Sequence, residues 1–120
     1  MKKVMFILIL LFSVNLFAKI LECRLYSDTK KGINIDVYNN QVIDSINNVY
    51  EKIGSKDGVN IFRGFDKKYN KNFVWMIKNE SNNFNGVSSF DAVVMEDIEN
   101  GLKTRMICFD KNEIDTYRQK

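Results

Sequence analysis

Two cysteines, no histidine and one short run of carboxylates bound the chemistry open to this 120-residue chain. Histidine is the commonest general base and metal ligand near neutral pH. Its absence excludes Ser-His-Asp and Cys-His nucleophiles and histidine-based zinc sites. Cys23 and Cys108 stand near opposite ends of the chain. A redox pair would want Cys-x-x-Cys spacing and a metal site would want more ligands. The run MEDIENG gathers Glu96, Asp97 and Glu99 before Gly101, which invites a calcium reading. Its spacing fails the EF-hand pattern, because apolar Ile98 or Leu102 falls where an oxygen ligand or the glycine belongs. Glycoside hydrolysis needs two acids facing each other across a cleft, and a single turn does not supply that. The chain is therefore expected to be no enzyme, with no catalytic residue, resident metal or cofactor. An enzyme working through carboxylates would need two acids converging in a pocket.

The segment RGFDKKYNKNF interleaves Arg63, Lys67, Lys68 and Lys71 with Phe65, Tyr69 and Phe73. Basic and aromatic residues in alternation can bind single-stranded nucleic acid. The competing reading is a solvated hairpin turn with inward-facing aromatics, and the charge balance favours it. No nucleic-acid partner is expected. Lys67, Lys68, Tyr69 and Lys71 are the provisional contacts for another protein. Asn79-Glu80-Ser81 matches the minimal glycosylation sequon, a pattern short enough to occur by chance. Trp75, in the apolar run FVWMIK, is read first as core and second as a surface recognition residue.

The amino terminus decides the compartment. Lys2 and Lys3 precede nine consecutive apolar residues, Val4 to Phe12, and a looser exit through Ser13 to Ala18. That is the layout of a secretory signal peptide, with cleavage expected after Ala18 and Leu16 as its least typical residue. Val4 to Ala18 spans fifteen residues, short of the about 20 that cross a bilayer. An uncleaved signal anchor is the alternative. A lipid anchor on Cys23 fits poorly, since Ile20-Leu21-Glu22 precede it. The domain layout is then a signal peptide at 1–18 and one secreted β domain at 19–120, periplasmic or secreted, with no membrane insertion after cleavage. The leader carries two of the 18 basic residues and none of the 15 acidic ones, so the net charge of +3 falls to +1 on its removal. Two cysteines in an exported chain most simply form one disulfide, Cys23–Cys108.

These features need elements to hold them. Ile20 to Tyr26 reads as a first strand. Ile33, Ile35 and Val37 alternate with polar residues as a half-buried second strand. Asn39-Asn40 offers a tight hairpin, because asparagine tolerates positive φ. Residues 41–53 are ambiguous: Val42, Ile46, Val49, Tyr50 and Ile53 share a helical face, yet the composition is indifferent to helix and Asn47-Asn48 suits a second hairpin. Strands are favoured. Gly54 to Gly58 reads as a turn, Val59 to Phe65 as a strand, Asp66 to Asn72 as a charged turn and Phe73 to Lys78 as the most apolar strand. Asn79 to Gly86 reads as a polar loop, Ser89 to Met95 as a strand, Glu96 to Gly101 as a turn and Lys103 to Phe109 as the last strand. The polar tail from Lys111 has room for one helical turn using Ile114 and Tyr117. The fold class is all-β: a small antiparallel barrel or sandwich of about seven or eight strands, with a short helix at 41–53 as the alternative there. The cysteines then lie in the first and last strands, which closure of a meander brings together.

ECRL around Cys23, the strand pair INIDVYNNQVI, the aromatic strand FVWMIKN and ICF around Cys108 resemble the layout of small periplasmic inhibitors of C-type lysozyme. Those are exported β-barrels with a cysteine in an early strand and a partner near the end. The family's Tyr-x-Cys is replaced here by Leu21 before Cys23, and its Ser-Gly-x-x-Tyr loop has no counterpart, since Gly54-Ser55 is reversed. The resemblance implies architecture and carries over no functional residue. The expectation is a small non-enzymatic binding protein that contacts another protein through loops at one barrel end, with inhibition of a hydrolase as one outcome. The first alternative is a carrier of a small apolar ligand, which a cavity above about 300 Å³ would favour. The second is a structural role in the envelope.

Overall fold

The computed structural model describes residues 19–119. The signal peptide expected at 1–18 lies outside the described residues. Nine strands and one helix follow in order: β1 (Lys19–Leu25), β2 (Gly32–Val37), β3 (Gln41–Asp44), β4 (Val49–Lys56), β5 (Val59–Asp66), β6 (Lys71–Lys78), β7 (Asn82–Phe84), β8 (Val87–Glu96), β9 (Lys103–Asp110) and α1 (Lys111–Arg118). Each strand from β1 to β5 pairs antiparallel with the next, β6 pairs with β8, β8 with β9, and β9 returns to β1. Eight strands thus close into a barrel, leaving no free edge in the ring. The short β7 lies outside the ring and pairs with the first residues of β8.

Alternation sets the core. Leu21, Cys23, Ile35, Val42, Tyr50, Phe62, Trp75, Ile77, Phe90, Ala92, Met106 and Cys108 point inward and form one cluster, as the two-residue period of a strand requires. At eight strands the interior is just wide enough to be filled by side chains or to take one small ligand. Cys23 and Cys108 sit directly opposite each other where β1 meets β9 and are joined by a disulfide. The bond closes the seam between the first and last ring strands. Its loop of 85 residues constrains the unfolded chain by roughly 4–5 kcal/mol in the loop-entropy account. Residues 41–53 are strands, with the β3–β4 turn at Ser45–Asn48 and Asn47 at φ 67°. Of the apolar positions that shared a helical face, Val42 and Tyr50 are buried whereas Ile46, Val49 and Ile53 are exposed. A bulge between Lys52 and Gly54 leaves Ile53 outside the ladder.

Four local expectations need correction. The turn expected at 54–58 is only Asp57-Gly58, both at positive φ, and β4 runs on to Lys56. The loop expected at 79–86 contains β7, folded back on β8 by Asn85-Gly86, again both at positive φ. The Asn39-Asn40 hairpin exists, but neither asparagine adopts positive φ. The tail is a helix of eight residues, not one turn. Asp110 caps it by accepting from the Glu113 amide.

Candidate functional site

The turns β1–β2, β3–β4, β5–β6 and β8–β9 gather at one end of the barrel, and a cavity of about 500 Å³ opens there. Tyr50, Phe73, Trp75 and Met106 line it together with Leu25, Ile33 and Val94. Trp75 is buried and meets Tyr50 edge to face, with ring centroids 6.2 Å apart. Gly64 faces Tyr50 across the β4–β5 ladder. A Cβ there would strike the Tyr50 ring and the Val49 carbonyl, so glycine makes the space in which the tyrosine lies.

Two carboxylates stand where the inward faces of β3 and β5 reach the mouth. Asp44 is the last residue of β3 and Asp66 the last of β5, and their exposures are 5% and 7%. Asp44 Oδ1 accepts from the amides of Ile46 (3.1 Å) and Asn48 (2.9 Å), and its Oδ2 accepts from Asn48 Nδ2 (3.0 Å). Asp66 Oδ1 accepts from the amides of Lys68 (2.8 Å) and Tyr69 (3.1 Å). Asn48 Oδ1 accepts from the Lys67 amide at 3.1 Å, tying the β3–β4 turn to the β5–β6 turn. Asx side chains that bond the backbone two or three residues on are turn-formers, which explains why these acids are placed as they are.

Tyr50 lies between them. Its hydroxyl is 3.4 Å from Oδ2 of Asp44 and 3.4 Å from Oδ2 of Asp66. A phenol carries one proton, so it donates to one carboxylate and turns a lone pair toward the other. Burial first, and then the charges of Asp44 and Asp66, push the Tyr50 phenol well above its ordinary value. It stays a neutral donor across the physiological range.

Among the described residues neither Asp44 nor Asp66 makes an ion pair. The cations nearby are used elsewhere. Lys71 stands opposite Asp66 in the β5–β6 ladder, yet its ammonium pairs with Glu96 at 3.5 Å. The Lys68 ammonium lies over the Tyr69 ring, 5.4 Å from its centroid.

Of the four contacts expected from sequence, Lys68 and Tyr69 line the mouth, and Lys67 sits in the same turn. Lys71 is exposed at the start of β6. All four therefore share one barrel end. Trp75 proves to be core and cavity wall at once. The carboxylates of MEDIENG diverge: Glu96 pairs with Lys71 and Asp97 with Arg63. Asp44, Asn48, Tyr50 and Asp66 were not singled out as site residues. The residues converge only when β3 and β5 pair on either side of β4, so no local spacing announces them. No protein-family model, curated protein or solved structure matches the chain.

Proposed function

We propose that this chain is a non-enzymatic binding protein, periplasmic or secreted, that carries a small and largely apolar ligand in the mouth of its barrel. The supporting observation is the cavity of about 500 Å³, which falls in the range of ligand sites and has the expected make-up of aromatic and aliphatic walls with a few convergent polar groups. The disulfide fits an oxidising compartment, and among the described residues no helix is long and apolar enough to cross a membrane. The two converging acids raise the possibility of acid–base chemistry. Against that, both Asp44 oxygens and Asp66 Oδ1 are committed to turn amides and to Asn48. Asp66 Oδ2 alone lacks an amide donor, so the two acids do not present the pair of free carboxyl groups that acid and base roles need.

The protein has a single tryptophan, and Trp75 lines the cavity, so its fluorescence reports directly on occupancy. Titration with the uncharged probe N-phenyl-1-naphthylamine should quench Trp75 while the probe's own emission rises. Val94→Phe, which puts a ring into the cavity, should weaken the probe. An unchanged Trp75 signal at saturating probe contradicts a carrier.

A second reading rests on its own observation. Ile46, Tyr69, Ile98 and Leu102 are exposed large apolar residues carried by three of the four turns at this end, and clustered exposed apolar groups mark interaction surfaces. A protein partner seated on this rim is the alternative. Replacing Lys67, Lys68, Tyr69 and Lys71 with alanine should then abolish capture of that partner with the fold intact, and unchanged capture removes it.

A further inference from the structure

We infer that the ligand of the mouth is an organic cation: an ammonium or guanidinium group carried on an apolar body. This inference rests on the carrier reading above and adds the charge of the ligand. It starts from an imbalance. Buried charges in proteins are paired or neutralised, because desolvating an unpaired ion is expensive. Asp44 and Asp66 are both more than nine-tenths buried and have only neutral donors as partners.

The hydrogen-bond count leaves a vacancy of the right kind. Asp44 already has a donor at each oxygen without help from Tyr50. If Tyr50 donates to Asp66, its own oxygen faces Asp44 Oδ2 at 3.4 Å, lone pair to lone pair. If it donates to Asp44, Asp66 Oδ2 is left without a donor. A group bringing N–H bonds and positive charge relieves either arrangement, and an alcohol or a carboxylate relieves it less or not at all. Asp66 Oδ2 is the direct acceptor; Asp44 contributes charge. The rest of the cavity suits the same ligand. The rings of Tyr50, Phe73 and Trp75 on its wall offer the π-faces that attract a cation and bury its hydrocarbon. Lys31 and Lys68 also reach the rim. They are exposed, so water and salt screen them as they do not screen the buried acids. They act against a cation only at its approach.

The probes are octylammonium, octanol and octanoate, alike in chain and different in head group, titrated into the oxidised domain with Trp75 fluorescence and calorimetry as readouts. Octylammonium should bind at least about tenfold more tightly than octanol, with octanoate weakest. Asp66→Asn should shrink the preference for octylammonium over octanol toward onefold, and its urea unfolding midpoint certifies that the mouth is folded. Asp44→Asn is the second variant should the first fail to fold. Equal binding of octanol and octylammonium overturns the cation and leaves the carrier standing. Binding of none of the three overturns both. A full preference retained in folded Asp66→Asn overturns the assignment to this carboxylate pair.

Discussion

Two places in this barrel bury carboxylates, and they treat them in opposite ways. On the outside of β1, Glu22 is 5% exposed beneath α1. Arg118 grips it with both nitrogens, at 3.0 and 2.6 Å, Arg24 Nε donates at 3.3 Å, and the Lys111 ammonium is 3.7 Å away. The hydrogen bond from Arg118 is the first cause that holds the Glu22 carboxyl below the usual carboxylate range. At the mouth, Asp44 and Asp66 have amides, an asparagine and a shared phenol, but no cation. The first arrangement is complete: charge is matched by charge, and the helix is fastened to the wall. The second holds its turns in place and leaves two negative charges unmatched at the edge of an apolar cavity. The difference separates a carboxylate used for structure from a pair that can also serve a ligand.

The largest effect that probes this contrast is expected from Asp44→Ala. It strips acceptors from Asn48, which is 1% exposed, and from the Ile46 amide. Stranded buried donors cost about 1–3 kcal/mol each, so urea unfolding should show a loss of about 3 kcal/mol. Glu22→Gln comes next. It removes the charge that three cations share, but Arg118 is about half exposed (49%) and Arg24 and Lys111 are near 29% and 28%, so they rehydrate. The loss should be about 1–2 kcal/mol by the same measurement.

Asp66→Asn should have the opposite sign. The amide oxygen still accepts from Lys68 and Tyr69, and the new amide nitrogen can donate to the Tyr50 hydroxyl, which is then free to donate to Asp44. One buried charge disappears and every donor finds an acceptor. A gain of about 0.5–1 kcal/mol in the unliganded protein is expected.

The smallest effects are those of pH. Because the folded carboxyl of Glu22 is held low, its contribution is present above the unfolded carboxyl's titration and is lost as pH falls through the folded one. The stability gap between wild type and Glu22→Gln should therefore be full at neutral pH and narrow as pH falls below the ordinary carboxyl value of 4.5. Tyr50 works at the other extreme. Its raised value makes the neutral phenol the stable form, so stability should decline as pH climbs above the ordinary phenol value of 10.0. Urea unfolding as a function of pH checks both, and ultraviolet titration of phenolate follows the tyrosine side.

Much of the frame was legible because it is written in short range. Alternation marked the strand cores, and two cysteines in the outermost ring strands pointed to one another. Asn47-Asn48 marked the turn that decided between helix and strand. Asn85-Gly86 was equally explicit, yet β7 was hidden by a run of polar residues that pairs on one side only. Asp57-Gly58 was read together with a longer turn, because Gly54 and Ser55 look like loop and sit in a strand beside a bulge. The site was legible in part. Lys67, Lys68, Tyr69 and Lys71 do fall at the barrel end where the cavity opens, since basic and aromatic residues crowd into one turn. The acids did not declare themselves: Asp44 and Asp66 are separated by the whole of β4 and most of β5, and only pairing of β3 and β5 on either side of β4 brings both to Tyr50. Arg118 and Glu22, 96 residues apart, meet because β9 closes on β1.

The measurement that bears most directly on this account is urea unfolding of wild type and Asp66→Asn, each with and without saturating octylammonium. An unmatched charge kept for a cation predicts a crossing: the variant is the more stable protein alone, and wild type is the more stable once the ammonium is present. A variant that is less stable under both conditions, with no extra stabilisation of wild type by the ammonium, would show that Asp66 serves the turn alone.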